Sequence, residues 1–249
     1  MRNFVLCGLL TLAAGGVLSA QLTIVNGASF RGEQPLSPGS LASAFGSFGA
    51  VATTSFQNFP LPTTLAGVSV RIGDVAAPLV AVSATQVNFQ IPGSVAPGRY
   101  PVRVTNGSTN VDGNVLVMHA SPGIFVLDRA TPAQGAILNQ DGAINGSSAP
   151  AARGSVIVIY GTGPGPLDGQ LADGAAAGST PLLRTRSTPK VMIGGVAATV
   201  NFSGMAPGFA GLWQVNAVVP NQPHIAGRTA VQVYMDGVDS NEVALFVAQ

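Results

Sequence analysis

The sequence predicts an all-β chain, two tandem β-sandwiches behind a signal peptide, and three observations predict it. Glycine (32) and proline (18) punctuate 249 residues that are 47% hydrophobic and 8% charged. Disorder would need the reverse balance, whereas many short strands joined by tight turns fit it. The runs between turns alternate apolar and polar residues, with no sustained helical spacing. Four blocks also recur in the same order, so the chain contains two copies of one unit.

The leader comes first. Met1-Arg2-Asn3 supplies a positive charge, and "FVLCGLLTLAAGGV" (Phe4 to Val17) is apolar and uncharged. Leu18-Ser19-Ala20 then offers small residues to a peptidase, with cleavage after Ser19 or Ala20. This is a secretory signal peptide over 1–20, too short and wrongly flanked to span a membrane. Cys7 stands too early, with six residues before it, for the lipid-anchor pattern of a complete apolar segment followed by cysteine. Cleavage removes Cys7 and Arg2, leaving no disulfide, thiolate or cysteine metal ligand. Ten basic residues (11 − 1) then balance ten acids. Clustered positive charge for nucleic acid is missing, and no other apolar run reaches the roughly 18 residues of a membrane span. The expected location is secreted or cell-surface.

The repeated blocks give the organisation. "SPGSLASAFGSFG" (Ser37 to Gly49) parallels "ARGSVIVIYGTGPG" (Ala152 to Gly165), and "VSVRIGDVAAPLV" (Val68 to Val80) parallels "PKVMIGGVAATVN" (Pro189 to Asn201). "TQVNFQIP" (Thr85 to Pro92) parallels "WQVNAVVP" (Trp213 to Pro220), and "APGRYPVRVTNG" (Ala96 to Gly107) parallels "IAGRTAVQVYMDG" (Ile225 to Gly237). Each copy ends on another apolar strand, "NVLVM" and "EVALFVA". The boundary falls near "HASPG" (His119 to Gly123), giving domains 21–120 and 121–249. The second copy carries extra residues in Gly163–Thr188 and Ser203–Gly211.

Period-two alternation marks the strands. Val102 and Val104 alternate with Arg103 and Thr105, and Val231, Val233 and Met235 with Ala230, Gln232 and Tyr234. In "LWQVNAVVP", Trp213, Val215, Ala217 and Val219 share one face, with Gln214, Asn216 and Val218 opposite. Turns are expected at Asn106-Gly107, Asp112-Gly113, Asp141-Gly142, Asn145-Gly146 and Asp236-Gly237.

The ordered motifs, Gly-Ser-strand-Gly, Val-x-Ile-Gly-Gly-x-x-Ala, Gln-Val-Asn-x-x-x-Pro, Gly-x-x-x-Val-x-Val and a final Ser-Asn-x-Val, resemble the IPT/TIG type of immunoglobulin-like domain. With "SPGIF" and "LNQDGAIN" between the copies, the pair resembles a secreted bacterial family of uncharacterised function. The resemblance covers nearly all of the mature chain. It implies tandem immunoglobulin-like sandwiches outside the cell and supplies no catalytic residues.

Chemistry is sparse in the residues themselves. Catalysis needs converging titratable groups, and the mature chain has two histidines, ten acids and one lysine, Lys190. His119 and His224 are expected in exposed loops, without metal-ligand spacing. Asp112, Asp141, Asp168, Asp173 and Asp236 precede glycine and Asp74 follows one, so turns account for them. Glu33 and Glu242, one per copy, are the only glutamates. "STPK" (Ser187 to Lys190) lacks the helix that Ser-x-x-Lys chemistry requires. "GTGPGP" (Gly161 to Pro166) lacks the Lys-Ser/Thr ending of a phosphate loop. "NQDGAINGSSAP" (Asn139 to Pro150) fails the calcium pattern at Ala143 and Pro150 and reads as a hairpin. Asn106, Asn145 and Asn201 open Asn-x-Ser sequons. No catalytic residue, metal site or cofactor is expected; a hydrolase would have to gather two of Asp168, Asp173, His224 and Glu242 in one pocket.

Aromatics are 6% of the chain. Phe45 and Tyr160 match each other and read as core or turn packing. Tyr100 pairs with Thr229 and Tyr234 with Thr105, which places them on wet or half-wet faces. Trp213 pairs with Thr85, which places it outside the deep core. Trp213, Tyr234 and Tyr100 are therefore the candidate contacts, while Gln214 and Asn216 are expected to bond nearby backbone or loop groups. The expected function is a non-enzymatic extracellular interaction or structural role, through strand edges or the two long second-copy loops. The alternative is a carbohydrate-binding accessory module centred on Trp213. The partner would be an extracellular protein or glycan.

Overall fold

Alternating apolar runs can bury one face only by stacking sheets, and the computed structural model, which describes residues 22–32, 34–128 and 130–249, does this twice. The expected signal peptide, including Cys7, and Glu33 lie outside the described residues.

The first sandwich contains β1 (Thr23–Asn26), β2 (Leu41–Phe45), β3 (Thr54–Ser55), β4 (Thr64–Leu65), β5 (Val68–Ile72), β6 (Val75–Ala76), β7 (Leu79–Val82), β8 (Gln86–Gln90), β9 (Gly98–Asn106) and β10 (Thr109–Val117). One sheet runs β1-β2-β8-β7-β3; the other runs β10-β9-β5-β4, with β6 also on β5. The second sandwich contains β11 (Gly123–Ile124), β12 (Ile137–Leu138), β13 (Val156–Thr162), β14 (Lys190–Ile193), β15 (Val196–Ala198), β16 (Val200–Met205), β17 (Trp213–Val218), β18 (Gly227–Met235), β19 (Val238–Asp239) and β20 (Val243–Val247). Its sheets run β11-β13-β17-β16, with β12 on β13, and β15-β14-β18-β19, with β20 on β18. The named strands pair antiparallel throughout. The fold is all-β, two immunoglobulin-like sandwiches in tandem.

The corresponding blocks occupy corresponding places: β2 and β13 pair with β8 and β17, and β5 and β14 pair with β9 and β18. Alternation decides what each strand buries. Val102 and Val104 are buried around an exposed Arg103, and Val231, Val233 and Met235 are buried while Tyr234 is exposed. Two separate cores result. One packs Val70, Val87, Phe89 and Val104, and the other packs Ile157, Trp213, Val215 and Val231. No buried residue belongs to both, and the chain passes from one to the other between Val117 and Ala120.

Turn chemistry holds at Asp236-Gly237, where both residues have positive φ (48° and 83°), as a two-residue hairpin of this hand requires. It fails at Asp112-Gly113. That pair lies inside β10, and Asp112 accepts two bonds from Arg103 on β9 at 2.7 and 3.0 Å. The hairpin closes earlier, between Asn106 and Thr109.

Candidate functional site

The alternation that exposes Tyr234 buries Trp213. Its side chain belongs to the second core, the residue is 1% exposed, and the indole Nε1 donates to Ser203 Oγ at 3.0 Å. The expectation that position 213 avoids the deep core is corrected here, and the reason is a compensating exchange between copies. When Phe45-Gly46 is aligned with Tyr160-Gly161, Phe48 falls opposite Gly163 and Thr85 opposite Trp213. In the first sandwich the buried Phe48 ring lies against Gly46, whereas Thr85 is exposed. In the second, the Trp213 indole lies against Gly161. Each copy places one aromatic over the same glycine, but the first takes it from the loop after β2 and the second from β17.

Tyr100 is half-buried against the first core on β9. Tyr234 is 38% exposed on β18, with Lys190 Nζ 6.0 Å from its ring centre. The three candidate contacts thus lie on three different sheets and form no common face. The amides pair with each other: Gln214 Nε2 donates to Asn216 Oδ1 at 2.8 Å, and Gln86 Nε2 to Asn88 Oδ1 at 2.8 Å. They were expected to reach backbone or loop groups; two residues apart on a strand, they share a face and meet first.

Two of the acids accept backbone N–H groups in loops. Asp168 Oδ1 accepts Arg184 N–H at 2.8 Å, and Asp141 Oδ1 accepts Ala143 N–H at 3.0 Å. His119 and His224 are exposed. Neither large interdomain cavity gathers two of Asp168, Asp173, His224 and Glu242. Among the described residues no three His, Cys, Asp or Glu could hold a metal together. The 139–150 segment is a hairpin: Asn145 is buried, donates to Asn139 Oδ1 at 2.9 Å and exchanges two bonds of 2.8 Å with the Phe246 backbone. Of the three sequon asparagines, Asn201 is exposed, Asn145 is committed to this network, and Asn106 donates to Phe48 O at 2.8 Å.

The features that sequence reading missed lie between the sandwiches. Thr162, fully buried at the end of β13, accepts Leu41 N–H and donates to Gly211 O, both at 2.8 Å. Asn26, also fully buried, donates to Ser121 O at 3.1 Å and accepts Ala28 N–H at 2.9 Å. That cap shapes a turn closed by Phe30 N–H to Asn26 O (3.0 Å) and leaves Phe30 at φ 52°, a conformation a bulky side chain rarely takes. Phe30 is nevertheless 50% exposed, with its ring centre 6.3 Å from that of Phe45. Strain retained at an exposed aromatic is a functional signal.

Phe30 and Phe45 line one wall of an interdomain groove of about 1030 Å³, and Val126, Leu127 and Ala133 line the other. Leu127 is 51% exposed, and Arg31, Asp128 and Glu242 stand among the lining residues. Phe30 and Leu127 fall outside the repeated blocks; their one signal in sequence was an apolar side chain with no strand pattern to explain it.

Asp128 shapes the second wall. Its carboxylate accepts Gln134 N–H at 2.9 Å and Ala130 N–H at 3.1 Å. Those bonds, then the charge of Arg228, hold it below the usual carboxylate value of 3.8. A depressed folded value stabilises above the unfolded value, and that contribution is lost as pH falls through the folded one. Asp128→Asn is therefore expected to flatten the acid side of a plot of Tm against pH, below about pH 4. Identical acid limbs for variant and wild type would contradict the role.

Residues 40–117, from the start of β2 to the end of β10, match the IPT/TIG domain. No curated protein matches the chain. Among solved structures, the Bacteroides ovatus mixed-linkage glucan utilization locus protein SGBP-B, in complex with a mixed-linkage heptasaccharide, is similar at 14% identity and TM-score 0.34, with 86% of this chain and 42% of that one covered. The present chain thus spans less than half of that protein. Domains 5–6 of the S-layer protein SbsC match at 15% identity and TM-score 0.28, with 92% and 97% covered. The tandem Ig repeats of Dlar match at 10% identity and TM-score 0.24, with 92% and 98% covered. No helix among the described residues is long and apolar enough to cross a membrane.

Proposed function

We propose that this chain, with its IPT/TIG domain in the first sandwich, is an exported, non-enzymatic protein that mediates extracellular or cell-surface interaction, and that the Phe30–Leu127 groove holds the partner. The observation that carries this reading is the exposure of two large apolar side chains on opposite walls of a cleft between two sandwiches. Water-exposed apolar surface in such a concavity costs free energy that only a partner recovers. Export rests on the leader sequence of residues 1–20. The partner is read as a protein segment, because apolar walls beside both Arg31 and Glu242 suit apolar and charged side chains together. The carbohydrate alternative centred on Trp213 loses its platform, since a 1% exposed indole offers no ring face to a sugar.

The test compares wild type with the Phe30→Asn, Leu127→Ser double variant in quantitative binding to intact cells of the source organism. Asparagine tolerates the left-handed backbone at position 30, so the fold is retained. Wild type is expected to bind saturably and the double variant about tenfold more weakly, a loss of about 1.4 kcal/mol. Equal binding by both proteins would remove the groove from the reading. Protease-insensitive binding to a surface glycan would replace the protein partner by a carbohydrate.

A further inference from the structure

The insertion over residues 163–188 belongs to the second sandwich, yet its middle rests on the first. Gly93 N–H donates to Asp173 Oδ1 at 2.6 Å, and Gly174 N–H to the Gln90 side-chain oxygen at 2.7 Å. Gly174 O in turn accepts Leu61 N–H at 2.8 Å. Gln90 is 3% exposed and is itself fixed by donating to Gly39 O at 3.1 Å.

The glycines of these loops show that the approach is between backbones. Gly163, Gly165, Gly174 and Gly211 all have positive φ, between 68° and 80°. A Cβ on Gly174 would stand 2.9 Å from Leu61 O, and one on Gly211 would stand 2.8 Å from the Leu41 side chain. Glycines 178 and 208, in the same two loops, face open space. Gly163 and Gly165 thus stand against the linker, and Gly174 and Gly211 against the first sandwich, while Gly169 and Gly204 are crowded by Leu183 within the second copy.

Contacts elsewhere oppose rotation about the linker. Arg31 donates to Ser240 O at 3.1 Å and lies 3.6 Å from Asp239, beside β19 on the opposite sheet of the second sandwich. The insertion and Thr162 act from the sheet containing β13. Pivoting on either set separates the other.

We infer that residues 163–188 are an internal fastener that makes the two sandwiches one rigid, cooperatively unfolding body. A loop of this length is normally functional or unstructured; here its function is turned inward, against the first sandwich. The groove is thereby preformed, so a partner bridging both walls pays no cost of ordering the two sandwiches.

Scanning calorimetry and small-angle scattering on the whole chain test this. Wild type is expected to give a calorimetric-to-van't Hoff enthalpy ratio of about 1, the mark of one cooperative unit. Gly174→Val forces a branched side chain against Leu61 O, and Asp173→Ala with Gln90→Ala removes both side-chain bonds to the insertion, together with the Gln90 bond to Gly39 O, without adding bulk. Each is expected to split the transition, raising the ratio to about 2 for two halves of similar size, and to widen the scattering profile while far-UV circular dichroism stays constant. Two independent transitions in wild type would overturn the inference. So would an unchanged ratio and profile in the Asp173→Ala, Gln90→Ala variant.

Discussion

Trp213→Ala is expected to cost about 3–5 kcal/mol of stability, the range for removing a large buried aromatic. The side chain is among the largest fully buried ones, and its loss opens a cavity lined by Gly161, which cannot fill it, and by Met205 on the paired strand. Ser203→Ala isolates the polar part. It leaves the indole N–H buried without its acceptor and is expected to cost about 1–3 kcal/mol. Urea unfolding followed by far-UV circular dichroism measures both without relying on the fluorescence of the tryptophan removed. A change below about 1 kcal/mol in Trp213→Ala, a typical cost of an ordinary substitution, would mean that the indole does not fill the core. A carbohydrate platform at Trp213 makes the opposite forecast, with stability retained and ligand lost.

The sandwiches were legible because alternation and repetition point the same way. A period-two pattern names the buried face of one strand, and its recurrence in the second copy confirms the block. Val102, Val104, Val231 and Val233 could be placed in the core from spacing alone. The same comparison misled at Trp213, because it assumed that matched positions have matched surroundings. Thr85 lies just before β8 in an exposed turn, whereas Trp213 lies within β17, donating to Ser203 and paired with Met205 on the adjacent strand β16. The exchange with Phe48 is visible in sequence only when both positions are read as one volume. Asp112-Gly113 misled differently: a dipeptide that favours a turn was overridden by a neighbouring hairpin that had already set the register. The groove and the fastener were illegible for a simpler reason. Both join segments far apart in sequence, and no local period records which loop of one sandwich meets which strand of the other.

Gly163→Ala is the second large effect expected, and it acts where the sandwiches meet. This glycine holds φ at 80°, and a Cβ there would stand 1.9 Å from Ser121 O in the linker. The left-handed backbone alone costs an alanine about 1–2 kcal/mol. A backbone oxygen cannot rotate away as a flexible side chain can, so the linker must shift and lose the Ser121 N–H to Gly163 O bond of 3.1 Å. Overpacking of this kind adds about 1–3 kcal/mol, and the expected total is about 2–5 kcal/mol in the same urea experiment. Gly178→Ala, on the same loop but with nothing near its Cβ position, is the control and is expected to stay within about 0.5 kcal/mol of wild type. Equal stability of the two variants would show that the linker yields freely at Ser121. The position also explains the aromatic exchange. Phe48 occupies the matching sequence position in the first sandwich; in the second, Ser121 O of the linker lies where a side chain at position 163 would begin. The aromatic over Gly161 must then come from β17, and Trp213 supplies it. The tryptophan that looked like a recognition residue is a core residue of the second sandwich.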